Sequence, residues 1–166
     1  MGAQNPTLFN LNIYRYIGRD KALFHYKKSG HDGPLVLRTA PTAFAGAVEA
    51  AQLFQQTAAK AGIPLEIQRE PDDGYWSEVW NKKPFAASYW GGARPVQDQM
   101  YSVAYQSTAD WNDTNFRRAD FDSLLLSARG ELDQVKRKAL YREMGVMVRN
   151  EGGTIVPMFN AFIAGV

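Results

Sequence analysis

The sequence predicts an α/β domain, a layered sheet with helices on its faces, and three observations carry that prediction. Leu35-Val-Leu-Arg-Thr39 reads as a buried strand, and Leu65-Glu-Ile-Gln-Arg69 alternates apolar and polar residues as a strand does. Between them Phe44, Val48, Ala51, Phe54, Ala58 and Ala61 recur at three- and four-residue spacing, the period of one helical face. A third apolar stretch, Phe85 to Trp90, follows a short helical segment around Tyr75 to Trp80. Strand, helix, strand, short helix, strand is the order that crossover connections produce, with the helices covering the sheet.

Taken in order, residues 1–18 are Asn-rich with weak pattern and read as an extended lead-in. Asp20 is placed to cap a helix running to about Ser29, with Leu23, Tyr26 and Phe24 inward, and Gly30 and Gly33-Pro34 stop it. Gly62 is placed to close the long helix. Pro71-Asp72-Asp73-Gly74 turns the chain into the short helix, and Lys82-Lys83-Pro84 breaks it before the third strand. The second half is more helical. Phe121, Leu124, Leu125 and Ala128 form one apolar face behind Asp120. Leu140, Met144, Met147 and Val148 form another, with Lys136, Arg137, Arg142 and Arg149 outside. Glu151-Gly152-Gly153 ends that helix and Thr154 to Phe159 resumes as extended chain.

The bulk numbers narrow the class. At 166 residues, a single domain buries roughly 70% of its unfolded surface. Nineteen basic against 17 acidic residues leave a net charge of +2, with the basic runs scattered among acids, which argues against nucleic acid as a partner. There is no cysteine, so neither a disulfide framework nor thiol chemistry is available. No apolar run reaches the roughly 20 residues that span a bilayer. Met1 to Pro6 has neither the basic nor the apolar region of a secretion signal, and the apolar end Ala161 to Val166 reads as a chain cut from something longer.

The stretch from Ser88 to Tyr101 is the most informative for function. Tyr89 and Trp90 offer flat apolar area with polar tips, Gly91 and Gly92 let backbone approach a bound molecule closely, and Arg94 supplies a fixed positive fork for a carboxylate. Catalytic chemistry is thin by comparison. His25 and His31 are the only histidines and read as surface residues, so no metal site is expected. Glu70, Asp72 and Asp73 form an acidic cluster, read more simply as Asp72 and Asp73 capping and charging the following helix. Trp90-Gly91-Gly92 lacks phosphate-loop spacing, and Pro95 interrupts where a phosphate-binding helix would begin. No catalytic residue and no cofactor are assigned. The residues argue for binding more than for bond-making.

Several segments together resemble the extracellular solute-binding proteins of the peptide, nickel and opine group (family 5), the receptors of ABC importers. Asp20 to Gly30 resembles the family's "D-x-x-K-A-K-x-L-L-x-x-A-G" helix, and Ala45 to Ile63 is similar to its "Q-x-x-L-x-x-x-G-I" helix and strand. Glu70 to Trp80 and Ser88-Tyr-Trp-Gly-Gly92 resemble the approach to its "Y/W-G-W" strand end. Asn112 to Phe116, Phe121 to Leu125 and Arg142 to Met147 resemble the helices that follow, and Glu151 to Phe159 the "x-x-P-x-x-P-L-Y" return strand. The resemblance covers about residues 20–160.

It implies one lobe, the second, of a two-lobed periplasmic-binding-protein-like fold: lead-in 1–18, ligand-binding lobe 19–160, and a truncated return segment 161–166 toward a missing first lobe. It further implies a peptide or peptide-like solute as ligand, ABC permease transmembrane subunits as partner, and a periplasmic parent protein. Dipeptide binders of the family carry an aspartate three positions after the tryptophan, where Ala93 stands here. An amine would lose its counter-ion there, so a longer peptide held by its backbone, or an anionic or opine-like solute, is expected unless Asp98 swings in. The loop Pro41 to Gly46 faces the cleft in relatives, which adds Thr42 and Phe44 as secondary candidates, Phe44 being equally a helix-face residue. The rival readings are a small α/β hydrolase or transferase using Asp72, Asp73 and Ser88, and a standalone protein-interaction module.

Overall fold

In the computed structural model, residues 18–92 and 94–158 are described; the lead-in and return-segment expectations fall almost wholly outside them. The chain divides into two compact units, one ending at Pro95 and one beginning at Val96.

The first unit contains helix α1 (Arg19–Lys28), strand β1 (Leu35–Thr39), a 3₁₀ turn (Pro41–Ala43), helix α2 (Ala47–Lys60), strand β2 (Leu65–Arg69) and a π-helical turn (Tyr75–Val79). β1 and β2 pair in parallel, Leu35 opposite Leu65 through Thr39 opposite Arg69, and α2 makes the crossover between them. On the other edge of β1, Arg38 donates its backbone N–H to the Phe85 carbonyl at 3.0 Å and accepts from Ala87 N–H at 2.8 Å. That single parallel bridge at Ala86 is all that remains of the strand expected over Phe85 to Trp90. The ladder stops for a visible reason. The Ala87 carbonyl accepts the Tyr75 hydroxyl at 2.7 Å, and the Ala40 carbonyl accepts Ala43 N–H at 3.0 Å in the 3₁₀ turn. Both groups that would make the next rung are taken.

α2 lies on the sheet through alanines. Ala51 and Ala58 are buried with Leu37 and Leu65, and Ile63, Ile67 and Phe85 close the margin. The helix ends as its sequence predicts. Gly62, at φ +74°, takes the left-handed position, its N–H reaching the Ala59 carbonyl while Ile63 N–H reaches Ala58, both within 3.0 Å. This double bond is a Schellman closure, and glycine is the residue that adopts it without strain. Phe44, expected on the helix face, instead precedes the helix in extended conformation and packs against a second core cluster of Ala40, Ala43, Ala47, Tyr75 and Val79. α1 begins two residues earlier than expected, with Gly18 at its cap and Asp20 in its first turn, and carries no buried residue.

The second unit is helical: α3 (Gln97–Ala104), α4 (Ala119–Gly130) and α5 (Gln134–Glu151). Its core is Tyr101, Ala104, Tyr105, Phe116, Phe121, Leu125, Ala128 and Met144. α3 has no counterpart among the elements expected from the sequence; Tyr101 and Ala104, three apart, are its inward face. Asp133 caps α5, its carboxylate accepting Val135 N–H at 2.8 Å and Lys136 N–H at 3.1 Å. Between α3 and α4 the chain is tied by buried Asn112, whose side chain donates to the Phe116 carbonyl at 2.5 Å and accepts Phe116 N–H at 3.1 Å. After α5, residues 153–158 form no regular element, and Gly153 takes a left-handed conformation at φ +72°.

Candidate functional site

In the first unit, three segments leave the carboxyl ends of parallel extended chain: Ala40–Gly46 after β1, Glu70–Gly74 after β2, and the chain from Ser88 onward after the bridged segment. In parallel α/β sheets this end is where ligands bind. Thr42, Phe44, Tyr89, Trp90, Gly91, Gly92 and Arg94 all stand on these segments.

The segment after β2 shapes the site. The π-helical turn is closed by Trp80 N–H reaching the Tyr75 carbonyl, five residues back, at 3.1 Å. Tyr75 and Val79 form its buried face. Tyr75 also donates its hydroxyl to Ala87 at 2.7 Å and contacts the Arg38 carbonyl at 3.3 Å, joining the turn to β1 and the bridged segment. Burial, with Glu70 nearby, pushes that hydroxyl up to about 12. Trp76 and Trp80 are the other face of the turn. Trp76 meets Tyr75 at 5.5 Å, Trp80 at 6.1 Å and Tyr89 at 5.5 Å between ring centroids, each edge-to-face. Trp80 meets Trp90 at 6.3 Å, and the Arg94 guanidinium lies 4.9 Å from the Trp90 ring centroid. The run of rings continues to the surface: Trp76 is 37% exposed and Tyr89 61%.

Arg94 also donates to the Gly91 carbonyl at 3.3 Å. A Cβ placed on Gly91 meets nothing within 4 Å, so the space beside that backbone is open. Thr42 is half-buried, and its backbone N–H donates to the Asp72 carboxylate at 2.8 Å. Asp72 therefore caps the turn after β1 rather than the helix it precedes, and no side chain caps the π-helical turn. Among the described residues no hydrogen bond joins Ser88 to Asp72 or Asp73, and no three acidic, histidine or cysteine side chains gather in a metal-binding group.

Asp98 belongs to the other unit and is already engaged there. It accepts from Arg129 Nε at 2.7 Å and Nη2 at 3.2 Å, and from the Tyr141 hydroxyl at 3.2 Å, so one carboxylate ties α3, α4 and α5 together. Burial pushes its carboxyl up, but the Arg129 hydrogen bonds and charge outweigh that and hold it below the usual carboxylate value. Swinging free to replace a missing counter-ion would abandon all three of these bonds.

The sequence analysis names Tyr89, Trp90 and Arg94 as candidates but not Trp76 and Trp80, whose rings contact Tyr89 and Trp90. The signal was present: with Tyr75 and Val79 four apart as the inward pair, Trp76 and Trp80 form the matching outward pair of the same turn.

No protein-family model matches the chain, and no curated protein sequence matches it. Solved structures do. The periplasmic binding protein DppA of Helicobacter pylori, associated with an ABC transporter and bound to the peptide STSA, superposes over 87% of this chain with a TM-score of 0.69 at 21% identity. The murein tripeptide binding protein MppA of Escherichia coli matches 81% at TM-score 0.68 and 17% identity. NikZ of Campylobacter jejuni, bound to Ni(L-His), matches 85% at TM-score 0.65 and 20% identity. The fold is that of a periplasmic binding protein. The chain spans 29%, 27% and 32% of the length of those three proteins, so it corresponds to a part of each. Its neighbours include an ABC transporter substrate-binding protein, CtaP of Listeria monocytogenes, of the kind the sequence resemblance implied.

Proposed function

We propose that this chain is a solute-binding lobe of an ABC importer's receptor, taking a peptide or peptide-like solute and passing it unchanged to a membrane permease in the periplasm. The observation that carries this reading is the continuous aromatic run ending at Trp90 and Arg94, set on the carboxyl-end segments of a parallel sheet whose fold matches such receptors. Tyr89 and Trp90 contribute stacking area, the Gly91-Gly92 backbone admits the solute closely, and Arg94 faces an anionic group. Thr42 and Phe44 serve as supports: the first fixes the turn after β1 through Asp72, the second packs its base. Asp98 has a structural role in the helical unit and is not part of the contact set.

A second lobe closing over the solute by a hinge completes the pocket in this reading. Calorimetric titration of this chain with a peptide library therefore gives weak binding, in the millimolar range, corresponding to about −4 kcal/mol. Nanomolar binding by the chain alone contradicts the two-lobe reading. A turnover screen separates the enzyme alternative: solute recovered intact, with Asp73→Asn and Ser88→Ala indistinguishable from the parent, fits a receptor. Product formation abolished by either substitution overturns it.

A further inference from the structure

We propose that Trp76 and Trp80 extend the site into a stacking platform for a solute carrying both an aromatic group and a carboxylate, with Arg94 holding the carboxylate. This rests on the solute-binding reading above and names the class of solute.

The inward positions of the turn that carries Trp76 and Trp80 are filled by Tyr75 and Val79, each no more than 5% exposed. The outward indoles instead join Tyr89 and Trp90 in one sequence of edge-to-face contacts. Large aromatics left partly open on a loop-bearing edge are the residues that dominate recognition surfaces. The position of Arg94 suits an anion: like Arg69 and Arg117 it makes no salt bridge to a carboxylate among the described residues, and it stands against the Trp90 end of the aromatic run. Its guanidinium is fixed by the Trp90 ring and one bond to the Gly91 carbonyl, which leaves donors of the fork for a partner. A carboxylate bound there lies beside the open space at Gly91, with its attached group directed along the Trp90, Trp80 and Trp76 rings.

The chain offers its own reporter, because three of its four tryptophans lie on the platform and Trp111 does not. In a Trp111→Phe background, N-acetylphenylalanine, N-acetylphenylalaninamide and N-acetylalanine are titrated while indole fluorescence is followed. Saturable quenching by the aromatic acid is expected, with affinity weaker by about five-fold or more for the amide and for the alanine compound. Trp76→Ala lowers affinity for the aromatic acid by a similar factor, and Arg94→Gln removes the preference for acid over amide. Circular dichroism identifies any Trp76→Ala chain that has not folded; the exposed-side change Arg94→Gln then decides alone. Absence of saturable quenching, equal affinity for acid and amide, or a folded Trp76→Ala with unchanged affinity overturns the platform. If the platform fails while Trp90→Ala still abolishes binding of library peptides, the solute-binding reading stands without it. If the aromatic acid binds but is recovered chemically altered, the platform stands and the receptor reading falls.

Discussion

Thr39 is fully buried at the carboxyl end of β1, and its hydroxyl has no hydrogen-bond partner among the described residues. A buried donor left unpaired costs about 1–3 kcal/mol, so the isosteric Thr39→Val raises stability by about 1 kcal/mol, read as a higher urea midpoint. A lower midpoint contradicts the assignment. Gly91 gives the complementary test. Its backbone is outside the left-handed region and its flank is open, so Gly91→Ala leaves stability within about 0.5 kcal/mol. Affinity for solute falls, because the added methyl occupies the approach to the backbone. A variant that binds as well as the parent removes Gly91 from the contact set. At this scale the sequence singles out Tyr89, Trp90 and Arg94 as candidates by side-chain type alone. It was not readable where a partner distant in sequence decides, as when Asp72 turns to Thr42 instead of its own helix.

Among the elements, β1 and β2 have the bounds their patterns predict, because two-residue alternation and apolar runs are local properties. The third strand does not form for a non-local reason: the hydroxyl of Tyr75, twelve residues before Ala87, takes the carbonyl that a ladder requires. α3 was missed because its eight residues follow a Gly- and Pro-containing loop and bury only Tyr101 and Ala104. Its anchoring to α4 and α5 through Asp98 makes a pH prediction. The folded-state value of that carboxyl is below its unfolded value, so its contribution is full above the usual carboxylate range and lost as pH falls through the folded value. Asp98→Asn therefore destabilises the helical unit at pH 7, and the gap to the parent narrows progressively below about pH 4. A gap independent of pH in urea melts contradicts an ionised Asp98 clasp. Asn112→Ala, by contrast, removes buried bonds to Phe116 and lowers stability by about 1–3 kcal/mol at any pH.

For the molecule as a whole, the βαβ order, the family resemblance and the structural neighbours converge on one fold, at identities where sequence comparison with family models finds nothing. Fold survives at this distance because it depends on pattern: alanines facing the sheet on α2, a Schellman glycine, a tyrosine joining turn to sheet. The proposed function rests on the rim, where the aromatic run ends at an arginine that makes no salt bridge to a carboxylate among the described residues. The most direct measurement is equilibrium dialysis of a peptide and amino-acid-conjugate mixture against the chain, with mass spectrometry of what is retained. Selective retention of chemically unchanged solutes, lost in Trp90→Ala, is the predicted result; cleaved or modified solutes, or retention indifferent to Trp90→Ala, would contradict it.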